Sequence, residues 1–249
     1  MSQQPSAYHR PQTLAEAIGL LEETAVYPLG GGTKLLAGDV QGEVVDLQDL
    51  NLATVQWGDG VLRVGAMVTL TDLTAALADA PVAGAAALLA DAIHRAGANT
   101  YRNAATIGGT IASRLADSEL LSTLLVLEAV VVIGDEKQVA LADYLADEGM
   151  GGLITAVVIP WTDGTGKADR VARTPADYPI VSVVMWQPAG GAMRLAGTGM
   201  NPLPSRLTAA EAADDKAAAA KAASTHAGDF RGDAAYRAEM TAVLVGRCI

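Results

Sequence analysis

Two short segments concentrate the residue types able to hold an anionic ligand. The first, Leu29-Gly30-Gly31-Gly32-Thr33-Lys34-Leu35-Leu36, places three consecutive glycines ahead of a hydroxyl. Glycines in series let successive amides turn into one concavity and let a phosphate approach without a Cβ in the way. The spacing fits neither the P-loop nor the dinucleotide Gly-x-Gly-x-x-Gly pattern, and a triple glycine alone also suits a tight turn. The second, Arg102-Asn103-Ala104-Ala105-Thr106-Ile107-Gly108-Gly109-Thr110 followed by Ser118-Glu119, sets two glycines beside hydroxyl side chains. It offers amide and hydroxyl donors in one turn, or simply a turn from helix to strand. The loops lie about seventy-five residues apart in what read as different subdomains, which suggests one extended, phosphate-containing ligand held between them.

No other constellation supplies chemistry. His9, His94 and His226 lack ligand spacing, so no metal site is expected. A nucleophile motif of the Gly-x-Ser-x-Gly kind is absent, and no side-chain acid, base or nucleophile is nominated. The single cysteine, Cys248, excludes an internal disulfide and an iron-sulfur cluster held by this chain's own thiolates. Its place beside the chain end suggests a frayed thiol or a partner contact.

The elements around these segments read as an α+β protein. Thr13-Leu14-Ala15-Glu16 is a capping box ahead of a short amphipathic helix whose apolar face is Leu14, Ala17, Ile18 and Leu21. Strands are expected at 25–29 and 43–47, flanking the first glycine segment, so that residues 1–55 form a small βαβ-type subdomain. From 56 to 165 the pattern predicts strand 61–64, helices 71–78 and 82–96, the second glycine turn, helix 119–128, and strands 129–133 and 153–159. Gly149 to Gly152 reads as a turn. Pro160 to Gly166 reads as a linker. Beyond it, residues 170–249 form a small domain with strands near 180–186 and 192–198 and alanine-rich helices over 207–223 and 233–246.

Composition bounds the function classes. The chain has 249 residues, 51% of them hydrophobic, enough for one large core or several small ones. One Phe, six Tyr and three Trp mean that close packing of small residues must replace bulky anchors. A formal charge of −11 argues against sequence-independent nucleic-acid binding and means that a bound pyrophosphate would rely on local amides rather than on the overall field. No run reaches the roughly 18 to 20 apolar residues of a membrane span. Met1 to Pro5 carry no basic region leading into an apolar core, so no secretory signal is expected and the location expected is cytoplasmic.

The two glycine segments resemble a known family. Leu29 to Leu36 is similar to a Leu-Ala-Gly-Gly-Thr-Asp-Leu-Leu segment, and Arg102 to Gly109 resembles Arg-Asn-x-Ala-Thr-Ile-Gly-Gly-Asn, both of the FAD-binding medium subunits of molybdenum hydroxylases of the xanthine dehydrogenase and carbon monoxide dehydrogenase type. The likeness continues through Ser118-Glu119-Leu120, Leu124 to Ala129, Leu153-Ile154-Thr155 to Ile159-Pro160, Arg173 to Tyr178, and Asp229-x-Arg231-Gly232 with Tyr236-Arg237. It implies a two-subdomain FAD-binding fold of the vanillyl-alcohol oxidase-like type, with 1–55 and 56–165 as the subdomains and 170–249 as the family's small C-terminal domain. It implies that Leu29, Gly30, Gly31, Gly32, Thr33, Lys34, Leu35 and Leu36, together with Thr106, Ile107, Gly108, Gly109 and Thr110, bind FAD, with Glu119 and Tyr178 in the cofactor's environment. Thr110 stands where the family has Asn and Glu119 where it has Asp. The first substitution loses a two-pronged amide, and the second extends the carboxylate by about 1.5 Å. Lys34 replaces an acid, and a cation beside a pyrophosphate is favourable.

The same resemblance implies an oxidoreductase subunit for electron transfer. FAD on this chain would take electrons from an iron-sulfur small subunit carrying [2Fe-2S] clusters and pass them to an external acceptor, while a large subunit with the molybdenum cofactor hydroxylates the substrate, in a dimer of heterotrimers. Two alternatives stand beside it: a scaffold subunit with weakened or lost FAD binding, and a stand-alone flavin oxidoreductase.

Overall fold

The computed structural model describes residues 4–249. The expectation about a secretory signal therefore falls in part, at Met1, Ser2 and Gln3, outside the described residues. Among those described, no helix is long and apolar enough to cross a membrane. Strands and helices fall in runs, helices following one another over 70–126 and strands over 154–206, as the α+β expectation requires. The order is β1 (Ala7–His9), α1 (Leu14–Leu21), β2 (Val26–Leu29), β3 (Glu43–Asp46), β4 (Val55–Gly58), β5 (Val61–Gly65), α2 (Leu70–Leu77), α3 (Ala83–Arg95), α4 (Asn99–Arg102), α5 (Ile107–Ala112) and α6 (Glu119–Val126). Then come β6 (Val130–Ile133), β7 (Lys137–Ala140), α7 (Leu141–Ala146), β8 (Ile154–Pro160), β9 (Gly164–Val171), β10 (Val181–Pro188), β11 (Arg194–Thr198), β12 (Ser205–Arg206), α8 (Thr208–Ala212), α9 (Lys216–Ala222), β13 (Gly228–Asp229), β14 (Gly232–Asp233) and α10 (Ala234–Cys248).

The chain divides into two compact units. The first runs to Ala76 and takes in Ala98–Ser113 and Val130–Ile159; the second comprises Leu77–Gly97, Arg114–Ala129 and Pro160–Ile249. In the first unit a parallel three-stranded sheet has the order β1-β3-β2, and a five-stranded sheet the order β4-β5-β8-β6-β7. Central β3 buries Val44, Val45 and Asp46, as a strand flanked on both sides should. The Asp46 carboxylate accepts from the Tyr8 hydroxyl and from the Gln48 amide at 3.0 Å, which answers its charge. Thr13 caps α1 as the sequence predicts, its hydroxyl accepting from the Glu16 amide at 3.2 Å. Glu16 reaches back one residue further than a standard box, to the amide of Gln12 at 3.0 Å. Ala17 and Val45 meet Leu47, Leu50 and Leu153 in a small core, with Leu14, Ile18 and Leu21 packed on it.

The second unit is an antiparallel sheet, β12-β11-β10-β9, with helices packed on it. Every residue of α6 is buried. The expected linker over 160–166 is corrected here: β9 begins at Gly164 and pairs along its length with β10. Its glycines are not turn formers. A Cβ on Gly164 would meet the Trp186 ring at 2.7 Å, and one on Gly166 would meet Leu88 at 2.7 Å, so the strand needs small residues to pack. The single helix expected over 207–223 is also corrected, because Asp215 starts a new one by accepting from the Ala218 amide at 2.9 Å. Lys216 closes the preceding helix, donating to the carbonyls of Glu211 at 2.8 Å and Ala213 at 3.0 Å.

Cys248 is neither frayed nor exposed. It lies in the core formed by Val181, Val183, Leu195, Leu244 and Val245, where burial, then the nearby Asp169 charge, pushes its thiol up to about 11. At pH 8 the thiolate fraction is then about a hundredfold below that of an ordinary cysteine. Native protein is expected to react with Ellman's reagent at least that much more slowly than protein in denaturant; rapid labelling of the folded chain would contradict the burial.

Candidate functional site

The structure brings both glycine segments together inside the first unit. Leu29 ends β2 opposite Asp46, and the chain then leaves the sheet through Gly30 to Lys34. Gly31 lies directly on the backbone of the second segment, where a Cβ would overlap the Ala104 carbonyl, 2.5 Å from its carbon. A Cβ on Gly30 would sit 3.1 Å from the Thr106 hydroxyl and 3.6 Å from the Met67 sulfur. Gly32 adopts φ +70, a conformation that favours glycine, and its carbonyl accepts from the Leu36 amide at 2.9 Å, opening a short 3-10 turn over Leu35–Ala37. Among the described residues, no protein acceptor takes the amides of Gly30, Gly31, Gly32, Thr33 or Lys34. Five donors in sequence therefore remain for a ligand or solvent.

The second segment is built differently from the open turn that the sequence suggests. It is a capped helix, α5, with Thr106 as its N-cap accepting from the Gly109 amide at 3.1 Å. The Ile107 amide donates to Val68 and that of Gly108 to Ala66, each at 3.0 Å, and the Thr110 amide returns to Thr106 at 2.9 Å. The Thr110 hydroxyl also donates to the Thr106 carbonyl, at 2.9 Å. These donors are spent within the protein. What the segment presents is the exposed backbone of Gly109 and one wall of an apolar recess of about 80 Å³, lined among others by Pro28, Gly30, Met67, Thr106, Gly109 and Leu153. A ligand the size of a dinucleotide would lie across this recess rather than inside it. Met67 carries no sequence signal for this position, and Leu153 belongs to the family likeness without being marked there as a site residue.

Glu119 and Tyr178 belong to the second unit. Glu119 is buried, and both oxygens are engaged: Oε2 lies 2.8 Å from Arg170, while Oε1 lies 3.5 Å from Arg95 and accepts from the Ser182 hydroxyl at 3.0 Å. Tyr178 is 44% exposed, and its phenol is raised by burial and by the Asp117 charge, so it stays a protonated donor at neutral pH. His9 pairs with Glu43 at 2.6 Å, and His226 accepts the Gly228 amide at 2.9 Å. Among the described residues no His, Cys, Asp and Glu group is arranged to hold a metal ion. The arrangement can therefore bind an anion through backbone amides, with the Lys34 ammonium on the same loop.

The chain is similar to several known proteins. Residues 3–162 match the family described as the FAD binding domain in molybdopterin dehydrogenase. The chain is 32% identical over 248 residues to the uncharacterized protein YgfM of Escherichia coli (strain K12), covering 96% of this chain and 93% of that protein. It is 27% identical over 197 residues to the glyceraldehyde dehydrogenase medium chain of Sulfolobus acidocaldarius, covering 72% of this chain and 68% of that one. A chain of the carbon monoxide dehydrogenase from Hydrogenophaga pseudoflava superposes with a TM-score of 0.88 at 24% identity, covering 100% of this chain and 97% of that chain. At that identity the likeness establishes the fold alone.

Proposed function

Since the chain belongs to the family of FAD-binding domains of molybdopterin dehydrogenases, we propose that it is the flavin-carrying, electron-transferring subunit of a molybdenum hydroxylase complex. The observation that carries this is the run of unspent amides from Gly30 to Lys34, held against Ala104 and Thr106 by a contact only glycine allows. Such a run fits the two phosphates of FAD, the more so because the chain's overall charge of −11 gives an anion no general attraction. In this proposal Leu29 to Leu36 hold the diphosphate, and Thr106 to Thr110 form the floor, Gly109 admitting the ligand's close approach. Tyr178 serves the flavin's environment as a neutral hydrogen-bond donor. Glu119 is proposed for the same environment on the family resemblance, its two oxygens engaged by Arg95, Arg170 and Ser182.

When bound, FAD supplies the exchange of electrons between an iron-sulfur subunit and an external acceptor. The chain's own part is to orient the cofactor and anchor its phosphates. The partners proposed are a large subunit with the molybdenum cofactor and a small [2Fe-2S] subunit, in a dimer of heterotrimers in the cytoplasm. The fold proposed is the vanillyl-alcohol oxidase-like arrangement, with 1–55 and 56–165 as cofactor-binding subdomains and 170–249 as the small C-terminal domain.

One observation favours a second reading, a scaffold with weakened FAD affinity: the Thr110 hydroxyl is spent on the Thr106 carbonyl and so offers a ligand no donor of its own. The visible absorption spectrum of the purified protein, with released flavin identified after denaturation and co-purifying chains identified in the same sample, separates the two. About one FAD per chain is expected. A colourless protein that takes up none when FAD is supplied would sink the electron-transfer proposal and leave the scaffold.

A further inference from the structure

Lys34 is held in an unusual way for a cation in an acidic protein. Its ammonium lies 5.7 Å from the centre of the Tyr101 ring, and among the described residues no carboxylate lies within ion-pair distance of it. Most of the arginines are answered by Asp or Glu. The difference matters electrostatically. A carboxylate would orient the ammonium and cancel its field together, whereas an aromatic face orients it and leaves its charge available to an incoming anion.

Tyr101 is fixed by the same backbone that carries the glycine contact. It lies in α4, and its carbonyl accepts from the amides of Ala104 at 3.1 Å and Ala105 at 2.7 Å. That turn presents the Ala104 carbonyl on which Gly31 rests. The loop is thus tied to α4 twice, through backbone at Gly31 and through the ring three residues on at Lys34. Lys34 also has no capping bond to hold it, although it heads the 3-10 turn over Leu35–Ala37.

We infer that Tyr101 is a positioning residue for the proposed FAD site, holding the Lys34 ammonium beside the unspent amides of Gly30 to Lys34 so that it meets the cofactor's diphosphate without being neutralised. This rests on the FAD reading and adds a residue outside both glycine motifs. The ammonium contributes through charge, so its effect falls with added salt. The ring contributes through the ammonium, so Tyr101 has nothing to offer once Lys34 is gone, and the phenol oxygen plays no part.

The test is titration of the flavin-free full-length protein with FAD and, separately, with riboflavin, which lacks the diphosphate, at low and high sodium chloride, followed by flavin fluorescence. K34Q is expected to weaken FAD binding about tenfold at low salt, and Y101L about three- to fivefold, with both losses shrinking at high salt. Y101F should bind as the parent does, the K34Q/Y101L double variant no more weakly than K34Q, and riboflavin equally well throughout. Thermal melts establish that Y101L is folded, and Y101F tests the ring independently of it. Parent-like FAD binding by Y101L, additive losses in the double variant, or an equal loss of riboflavin would each overturn the assignment while leaving FAD binding intact. Failure of the parent protein to take up FAD would instead remove the cofactor reading, and this inference with it.

Discussion

Gly31→Ala is expected to lower the melting temperature by roughly 6–12 °C and to abolish FAD uptake, although alanine is the smallest side chain that can be added. The new Cβ would land inside the Ala104 carbonyl, 2.5 Å from its carbon, and the atoms it meets belong to backbone rather than to a flexible side chain. Relief requires the loop over Gly30–Lys34 to lift from α4 and α5, or the turn after α4 to unwind against its hydrogen bonds from Ala104 and Ala105 to Tyr101. Overpacking of this kind costs about 3 kcal/mol, and for a chain of this length each kcal/mol moves the melting temperature by roughly 2–4 °C. Gly31 is not at positive φ, so the clash and not backbone strain carries the cost. Gly38→Ala is the control, since a Cβ there meets nothing within 4 Å. Equal melting temperatures for the two variants together with parent-like FAD uptake by Gly31→Ala would show that the loop is not held against Ala104. A normal melt for Gly31→Ala with loss of FAD uptake alone would show that the loop can lift without disturbing the rest of the unit.

The two glycine segments were legible in the sequence because they depend on residue type: runs of glycine beside hydroxyls have few structural uses. Their contact was not legible. Nothing local in Gly31 or Ala104 marks a meeting across seventy-three positions, and the sequence gives no hint that one segment keeps its amides free while the other spends them on Val68, Ala66 and Thr106. Glu119 shows the same limit in charge. Beside Ser118 it looks like a helix-start acid, yet its partners Arg170 and Ser182 lie 51 and 63 residues away. Periodicity predicted α1, α3 and the core strands because burial on one face repeats along the element. It failed where a rule about residue type had two physical causes. Gly164 and Gly166 read as linker because glycine favours turns, whereas here glycine makes room for Trp186 and Leu88. Alanine-rich 207–223 read as one helix because propensity has no memory of Asp215 as a cap. Cys248 looked frayed because it is near the end of the chain, but α10 carries it into the core.

Arg237→Met should be the most damaging substitution in the second unit. The guanidinium is 1% exposed and bonds in four directions: Nε donates to the Gly232 carbonyl at 3.1 Å, Nη1 to those of Ile180 at 2.5 Å and Gly199 at 2.9 Å, and Nη2 to the Asp229 carboxylate at 2.6 Å. It therefore ties α10 to the β13–β14 hairpin and to the ends of two segments far apart in sequence. Methionine keeps much of the side-chain volume but leaves the carbonyls of Ile180 and Gly199 buried without this donor. The expected cost is about 3 kcal/mol, at the lower end for a broken buried ionic contact because Asp229 retains some access to water. It is read from urea midpoints at pH 7. The deficit should also depend on pH. Burial opposes the Asp229 charge, but the Arg237 hydrogen bond, the Arg231 amide and the two guanidinium charges outweigh it and bring the carboxyl down to about 2. A depressed carboxyl stabilises the fold fully above its unfolded value near 4, and that contribution disappears as pH falls through about 2. The gap between parent and Arg237→Met should accordingly be constant from pH 7 to about 5 and narrow towards pH 2, while never closing, because the three carbonyl contacts do not titrate. A gap that stayed constant to pH 2 would separate Asp229 from the effect, and coincident midpoints at pH 7 would show that the buried guanidinium does not hold the unit together.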